Sequence, residues 1–219
     1  MKHCGLSLRA GLIAVGILLI GCSGAERRCE YAPLMPLVVG NSWAYTICRV
    51  HSESGEQDCY KQDTLRVTGH DQLDGDEYYL TDFDRMAFRE TSGGLSIVIY
   101  QYPHVSGPDF FLRYPIADGT VYEYSSAKID QPRLLIRVDE EIIDVPAGRY
   151  RVLTYHAQSG SGMPFVTFSL APGVGLVRIT FPGEYQSTVY MLVSVNLVGA
   201  APEAVQESGS ICGPRWSLY

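Results

Sequence analysis

The chain has 219 residues, 46% of them hydrophobic, and a formal net charge of −7 at pH 7. This length is enough for one substantial domain with its own core. A chain this acidic lacks the basic surface that nucleic-acid binding requires, so nucleic acid is excluded as a partner.

The first 21 residues have the features of a secretory signal peptide. Lys2 and Arg9 give a positive start, and residues 10–20 form an almost unbroken apolar run. A basic start, a short apolar run and a small residue before the cut are typical of such a signal. The run is about half the roughly 20 residues that a transmembrane helix needs. We therefore predict a removable signal over residues 1–21 rather than a membrane span.

The sequence LIGC at residues 19–22 resembles the bacterial lipobox, in which the cysteine is acylated and the chain is cut just before it. The resemblance implies a diacylglycerol and an amide-linked acyl chain on Cys22. Each buried methylene contributes about 0.8 kcal/mol, so several chains together hold a protein on a bilayer. Ser23 stands where an inner-membrane retention signal would have Asp, which by the same resemblance implies the outer membrane, facing the periplasm. An ordinary secretory cut nearby is the alternative.

Removal of the signal leaves 15 basic against 24 acidic residues, a formal charge of −9. Anionic head groups would repel such a chain, so we expect attachment to the lipid bilayer through acyl chains rather than through a basic patch. Residues 22–32 are small or charged with no apolar period, which predicts a tether. The folded domain is predicted at residues 33–198, and residues 199–219 are predicted to be a C-terminal tail.

Four cysteines besides Cys22 remain after removal of the signal, and in an exported protein they are expected to form disulfides. Four cysteines allow three pairings. The pairing of Cys48 with Cys59 is preferred because residues 52–55 between them are typical of a hairpin tip. Cys29 and Cys212 would then join the two ends of the domain, which usually lie close together, and tie the tail back. A metal site is the competing interpretation, but the spacing lacks a C-x-x-C pair.

Strand signals follow one another along the domain, separated by turn residues. In the first strand, Trp43, Tyr45 and Ile47 alternate with small or polar residues, and Asp74-Gly75 is a strong hairpin signal. No segment after residue 22 has the pattern of an amphipathic helix. Consecutive hairpins without helical crossovers predict an antiparallel meander. The predicted strands are at residues 42–47, 65–67, 78–83, 86–91, 95–100, 121–124, 134–145, 150–156, 165–170, 176–181 and 189–197.

An all-β sheet of this size must cover its apolar side, so we predict a curved sheet, an open barrel or a sandwich. The chain also contains a weak internal repeat. The sequences PLVVGNSWAY at 36–45 and PIADGTVYEY at 115–124 share a proline, a glycine and two aromatic residues at identical offsets. LRV at 65–67 and IRV at 136–138 follow in the same order. Two duplicated halves are therefore one interpretation, with Trp43, Tyr45, Tyr122 and Tyr124 as core residues.

Three motifs in this order resemble a broad set of uncharacterised bacterial lipoproteins and secreted proteins. They are P-L-x-x-G-N-x-W-x-Y at residues 36–45, V-P-A-G-x-[FY] at 145–150 and A-P-G-V-G-x-V at 171–177. The group has no established activity that the resemblance could imply. Its sheets look similar to the curved, half-closed barrels of lipoprotein-localisation factors, which hold acyl chains in an apolar cavity, although a fold does not fix a function.

The residues with catalytic or metal-binding chemistry are scattered. No two histidines of the domain are spaced two or four residues apart, as a pair of metal ligands on one strand or helix would be. The histidines are His51, His70, His104 and His156. Residues 159–162 (SGSG) lack the strand–turn–helix context of a nucleophile elbow. Asp71, Asp74 and Asp76 lack the remaining ligands of a calcium loop. Residues 139–141 (DEE) could supply acid–base carboxylates, but neighbours on a strand point to opposite faces.

From the sequence we therefore predict no catalytic residue, no metal and no cofactor. The favoured function is a non-enzymatic envelope lipoprotein that binds an envelope protein or a hydrophobic ligand, with the tyrosines as one candidate binding wall. An acyl-chain carrier is an alternative, and it needs an open barrel with an apolar cavity. A hydrolase is another, with a cleft assembled from scattered carboxylates and His104 or His156.

Overall fold

A computed structural model describes residues 32–101, 103–126 and 133–198 of the chain. In these residues the regular structure consists of β-strands, numbered here in chain order. The strands are β1 (Ser42–His51), β2 (Gln57–Leu73), β3 (Asp76–Thr81), β4 (Met86–Thr91), β5 (Gly94–Gln101), β6 (His104–Arg113), β7 (Val121–Tyr124), β8 (Leu134–Val145), β9 (Gly148–Ser159), β10 (Pro164–Ala171), β11 (Gly175–Phe181) and β12 (Gln186–Asn196).

All of these strands belong to one curved antiparallel sheet, in the order β6-β5-β4-β3-β2-β1-β12-β11-β10-β9-β8-β7. Every strand from β1 to β6 pairs with its neighbour in the chain, and so does every strand from β7 to β12. β1 pairs with β12 along its whole length and joins the two series. The sheet does not close into a barrel, so β6 and β7 are its edges. The predicted all-β meander is confirmed.

The two six-stranded halves begin with the same local structure. The Gly40 amide donates to the Val67 carbonyl at 2.8 Å, and the Gly119 amide donates to the Val138 carbonyl at 2.8 Å. In each half the same valine donates back, at 2.9 Å, to the residue after the glycine. Both glycines have a positive φ, 98° and 71°, which glycine adopts without steric cost. The repeated motif therefore makes the same turn twice, as two duplicated halves would.

In the first half, the long β2–β3 hairpin bends away from β1 and folds over the outer side of β4–β6. β2 pairs with β1 up to Arg66 and with β3 from Val67 onward. A small second core lies beneath the hairpin, formed by Leu73, Tyr78, Ala87, Val98 and Val105. The Asp74 carboxylate at the hairpin tip accepts the Val105 amide at 2.9 Å. The hairpin therefore covers a face that would otherwise meet water.

The β8–β9 hairpin also folds over neighbouring strands, in the second half. Its tip contacts β12, where the Ala147 amide donates to the Leu192 carbonyl at 2.9 Å. Along β8 the buried side changes from Ile136 and Val138 to Ile143. This change shows that the hairpin packs one face inward near its base and the opposite face near its tip. It accounts for the burial of Ile143, whereas its neighbour Ile142 is exposed.

The main core lies on the concave side of the sheet and receives side chains from both halves. Trp43 and Tyr45 are completely buried there, as predicted, and Tyr122 is also buried. The ring of Phe110 on β6 lies 5.1 Å from that of Phe168 on β10, so the halves are in direct aromatic contact. Packed side chains fill the interior at that contact.

The first and third sequence motifs meet at one end of this core. The Trp43 indole donates to the Val174 carbonyl at 2.6 Å, and the Tyr45 hydroxyl donates to the Leu176 carbonyl at 2.9 Å. Gly175 lies against the indole, because a Cβ at this position would be 3.0 Å from Trp43 Nε1. These carbonyls precede the part of β11 that pairs with β12. The side chains of Trp43 and Tyr45 therefore satisfy carbonyl groups in a segment that β12 does not pair.

Two differences from the predicted strands have simple causes. β6 was not predicted, because Ser106-Gly107-Pro108 interrupts its apolar pattern. β2 was predicted only at residues 65–67, but it extends over Gln57–Leu73. Much of its length is exposed on both faces, so it carries no period-two signal.

Replacement of Gly175 by alanine tests the contact between the two motifs. We expect Gly175→Ala to lower the free energy of unfolding by about 1–3 kcal/mol, because the added methyl group would overlap the Trp43 indole. Urea unfolding followed by tryptophan fluorescence measures this change. Gly55→Ala is the matched control, since Gly55 also has a positive φ but nothing within 4 Å of its Cβ position. Equal losses in the two variants would contradict the close contact.

Candidate functional site

The buried tyrosines are bonded within the core rather than arranged as a binding wall. The Tyr155 hydroxyl donates to the Arg113 carbonyl at 2.8 Å, and the Tyr122 hydroxyl donates to the Phe111 carbonyl at 2.8 Å. Burial raises the pKa of Tyr122 to about 12 and raises the pKa of Tyr45 and Tyr155 as well. These hydroxyls therefore stay protonated near neutral pH and keep donating to the backbone.

The structure brings the predicted residues Asp139 and His156 together on β8 and β9. An Asp139 carboxylate oxygen lies 3.2 Å from His156 Nε2. The other ring nitrogen, Nδ1, lies 3.4 Å from the Thr167 hydroxyl on β10. Arg137 pairs with the same carboxylate at 2.7 Å. The site is thus a chain of three contacting groups, a carboxylate, an imidazole and a hydroxyl, which lie half-exposed on the surface of the sheet.

This order of groups is the one used in nucleophilic catalysis, but its surroundings differ from an active site. Thr167 lies in the middle of the sheet, opposite His156 on one side and Thr180 on the other. Ladder pairing of this kind uses the backbone amides that an oxyanion hole would need. The hydroxyl of Thr167 is a secondary alcohol, and its oxygen lies 3.4 Å from the imidazole nitrogen, which is long for a hydrogen bond. The arrangement provides binding groups more readily than a nucleophile.

A second polar network lies beside it and connects the β8–β9 hairpin to β10 and β11. Thr154 and Ser169 are fully buried, and their hydroxyls lie 3.0 Å apart. Thr154 donates to the Glu141 carboxylate, so its single hydrogen is used and Ser169 donates to Thr154. Arg178 Nη2 approaches the same carboxylate at 3.2 Å. The network therefore bonds the β8–β9 hairpin to strands β10 and β11.

The other predicted residues lie apart from this cluster. Asp74 pairs with His104 at 2.8 Å, and Asp76 pairs with Arg89 at 2.9 Å. These carboxylates are therefore committed to protein groups. No group of three or more metal-ligating side chains lies together in the described parts of the chain. His70 pairs with Glu77 at 3.0 Å, far along the β2–β3 hairpin.

A pocket of about 350 Å³ lies between the β1–β2 and β11–β12 turns, at one end of the sheet. The Ser52 amide donates to the Tyr185 carbonyl at 3.0 Å and holds the two turns together. Tyr185 is 75% exposed. Sequence reasoning missed this pocket, because each of its residues is ordinary in a turn. The lining residues are His51, Ser52, Glu53, Ser54, Glu184 and Tyr185.

The disulfide between Cys48 and Cys59, expected from the sequence, is present at the base of the β1–β2 turn. Cys22, Cys29 and Cys212 lie outside the described residues. The two ends of the described domain are adjacent, because the Asn41 side chain donates to the Pro36 carbonyl and accepts the Val198 amide, both at 2.6 Å. The bridge between Cys29 and Cys212 stays a prediction.

Comparison with known proteins gives two distant structural similarities. One is to a predicted lipoprotein from Parabacteroides distasonis ATCC 8503, with 13% identity and a TM-score of 0.43, covering 76% of this chain and 100% of the other. The second is to a predicted exported protein with a YmcC-like fold from Bacteroides fragilis NCTC 9343, with 13% identity, a TM-score of 0.42 and the same coverage. No family model and no curated protein matches the chain. Both similarities are too distant to assign a family or a function.

The described residues contain no helix that is long and apolar enough to cross a bilayer.

We expect the pKa of His156 to lie below the ordinary value for histidine, about 6.5. Burial lowers this pKa and outweighs the opposing effect of the Asp139 carboxylate. NMR titration of the ring protons measures it, and Asp139→Asn should lower it further. Since the folded state resists protonation, stability should fall as the pH drops through the unfolded value toward the folded one. An unchanged pKa in Asp139→Asn would contradict the pairing.

A disulfide between Cys29 and Cys212 is expected, because Asn41 holds the two ends of the domain together. Mass spectrometry of proteolytic fragments under non-reducing conditions should find these two cysteines in one linked peptide. The Cys48–Cys59 peptide serves as the internal control. Free thiols at both positions, with the control bridge intact, would contradict the pairing.

Proposed function

We propose that this protein is a lipid-anchored lipoprotein of the cell envelope with a non-enzymatic binding role. The observation that carries the proposal is the sequence LIGC at residues 19–22, which follows a signal-like apolar run and precedes a tether and a folded domain. Acyl chains on Cys22 would hold the domain at a bilayer surface. The outer membrane, facing the periplasm, is the proposed location.

The point where the tether enters the domain and the Tyr185 pocket lie at opposite ends of β11. The Pro33 carbonyl accepts the Gly173 amide at 2.7 Å, so the tether enters beside the β10–β11 turn. Cys22 lies eleven positions before Pro33, and this stretch of chain spans at most about 40 Å. The Tyr185 pocket lies beyond the other end of β11, roughly 20 Å away along the strand. Its open side is thus accessible to a partner away from the bilayer.

A binding role agrees better with the described chemistry than catalysis does. The Asp139–His156–Thr167 group lies on a paired sheet surface without free amide donors directed at it. The pocket at the other end combines an exposed tyrosine with two carboxylates, Glu53 and Glu184, that form no ion pair among the described residues. Such groups remain available to a ligand.

Acyl-chain carriage is less well supported than binding at the surface. A carrier needs an apolar cavity inside the curved sheet. Phe110 occupies that interior and packs against Phe165 at 5.9 Å and Phe168 at 5.1 Å. A bound chain would have to displace these rings.

The anchor is tested by expressing the full-length chain in a bacterium with a lipoprotein pathway and feeding a clickable fatty acid. We expect the wild-type protein to be labelled and to fractionate with membranes, and Cys22→Ala to lose both properties. Cys4→Ala is the matched control, since this cysteine lies within the predicted signal and should leave labelling unchanged. A mature wild-type chain with an unmodified thiol at Cys22 would contradict the proposal.

A further inference from the structure

The β6 edge of the sheet lies against the end of the sheet that carries β7, without strand pairing between them. β6 and β7 are consecutive in the chain and stand at opposite ends of the strand order. The curvature of the sheet nevertheless brings them together. In the described residues no strand pairing joins them, and the contact, here called the β6–β7 seam, is made by side chains.

Tyrosine hydroxyls take the place of a neighbouring strand along this seam. Tyr122 on β7 donates to the Phe111 carbonyl at 2.8 Å and accepts the Arg113 amide at 3.2 Å. Tyr155 on β9 donates to the Arg113 carbonyl at 2.8 Å. These are the groups that an edge strand would offer to an added strand. The hydroxyls therefore block β6 as a pairing edge.

A second set of contacts lies one pair of residues further along the seam. The Tyr124 hydroxyl donates to the buried Asp109 carboxylate at 2.8 Å, and Ser126 donates to the other oxygen at 2.8 Å. The Tyr124 ring also lies 6.3 Å from that of Phe111. All of these bonds join the first half of the domain to the second.

The other joint between the halves is built differently. β1 and β12 are paired from Ser42 to His51 by a backbone ladder. Opening that joint would break the ladder along ten residues of β1. Among the described residues, opening the seam would break side-chain hydrogen bonds and ring contacts rather than a backbone ladder. The two joints should therefore differ in stability.

We propose that the β6–β7 seam is a latch, which opens as a unit while the β1–β12 joint stays closed. In the open state the Phe111 carbonyl and the Arg113 amide and carbonyl become available for pairing, and the Phe110 and Phe168 rings lose part of their cover. The latch thus gives the domain one side at which it can open without unfolding. This inference does not depend on the lipid anchor.

Hydrogen–deuterium exchange of the mature chain, followed by mass spectrometry, tests the latch. We expect amides of β6 and β7 to exchange faster than those of β1 and β12 in the wild type. Tyr122→Phe should speed exchange in β6 and β7 further, roughly tenfold, because it removes the hydroxyl that bonds two backbone groups. Exchange in β1 and β12 should change much less.

Tyr45→Phe is the matched control, because it also removes a buried hydroxyl bonded to a backbone carbonyl, but outside the seam. It should leave β6 and β7 exchange close to the wild-type rate. Equal wild-type exchange at both joints would overturn the proposal, as would a uniform increase over all strands in Tyr122→Phe. If that variant fails to fold, the wild-type comparison together with Tyr124→Phe decides the question.

Discussion

The structure depends on how an open sheet of this size covers its free edge at β6. A long unpaired edge exposes amides and carbonyls that invite pairing with other chains. Here the curvature places β6 against the concave side of β7–β10, where Tyr122 and Tyr155 bond its backbone. The same overlap brings Phe110 against Phe168 and completes the core. The curvature of the sheet therefore both protects the β6 edge and completes the core.

The two halves of the internal repeat share their local structure but differ in the contacts of their aromatic residues. In both halves a glycine turn starts the meander, and a long hairpin folds over the strands that follow. The aromatic pair after the turn has different partners in the two halves. Trp43 and Tyr45 bond the start of β11, whereas Tyr122 bonds the edge of β6. The aromatic residues of the repeat therefore bond backbone carbonyls that lack a strand partner on that side. In the first half these carbonyls are at the start of β11, and in the second half the carbonyl is on β6.

Local pattern predicted most of the strands, because those strands alternate or lie between strong turn signals, whereas β6 and most of β2 do not. The bridge between Cys48 and Cys59 was predictable for the same reason, since it closes a short hairpin. The overlap of the edges was not predictable, because it depends on the accumulated curvature of the whole sheet rather than on any segment. The meeting of Asp139, His156 and Thr167 likewise follows from the register of three strands. The Tyr185 pocket depends on two turns that are distant in sequence.

The proposed binding role rests on the positions of the chain entry and the pocket more than on catalytic chemistry. The chain enters at one end of the sheet, and the open pocket lies at the other, which suits a tethered binding module. The account rests on the seam being formed by side chains. Nuclear Overhauser effects in the isotope-labelled domain test this most directly. The account predicts contacts from the Tyr122 ring to the backbone of Phe111 and Arg113, without cross-strand Hα–Hα contacts between β6 and β7. A regular set of such Hα contacts, as in a closed barrel, would contradict it.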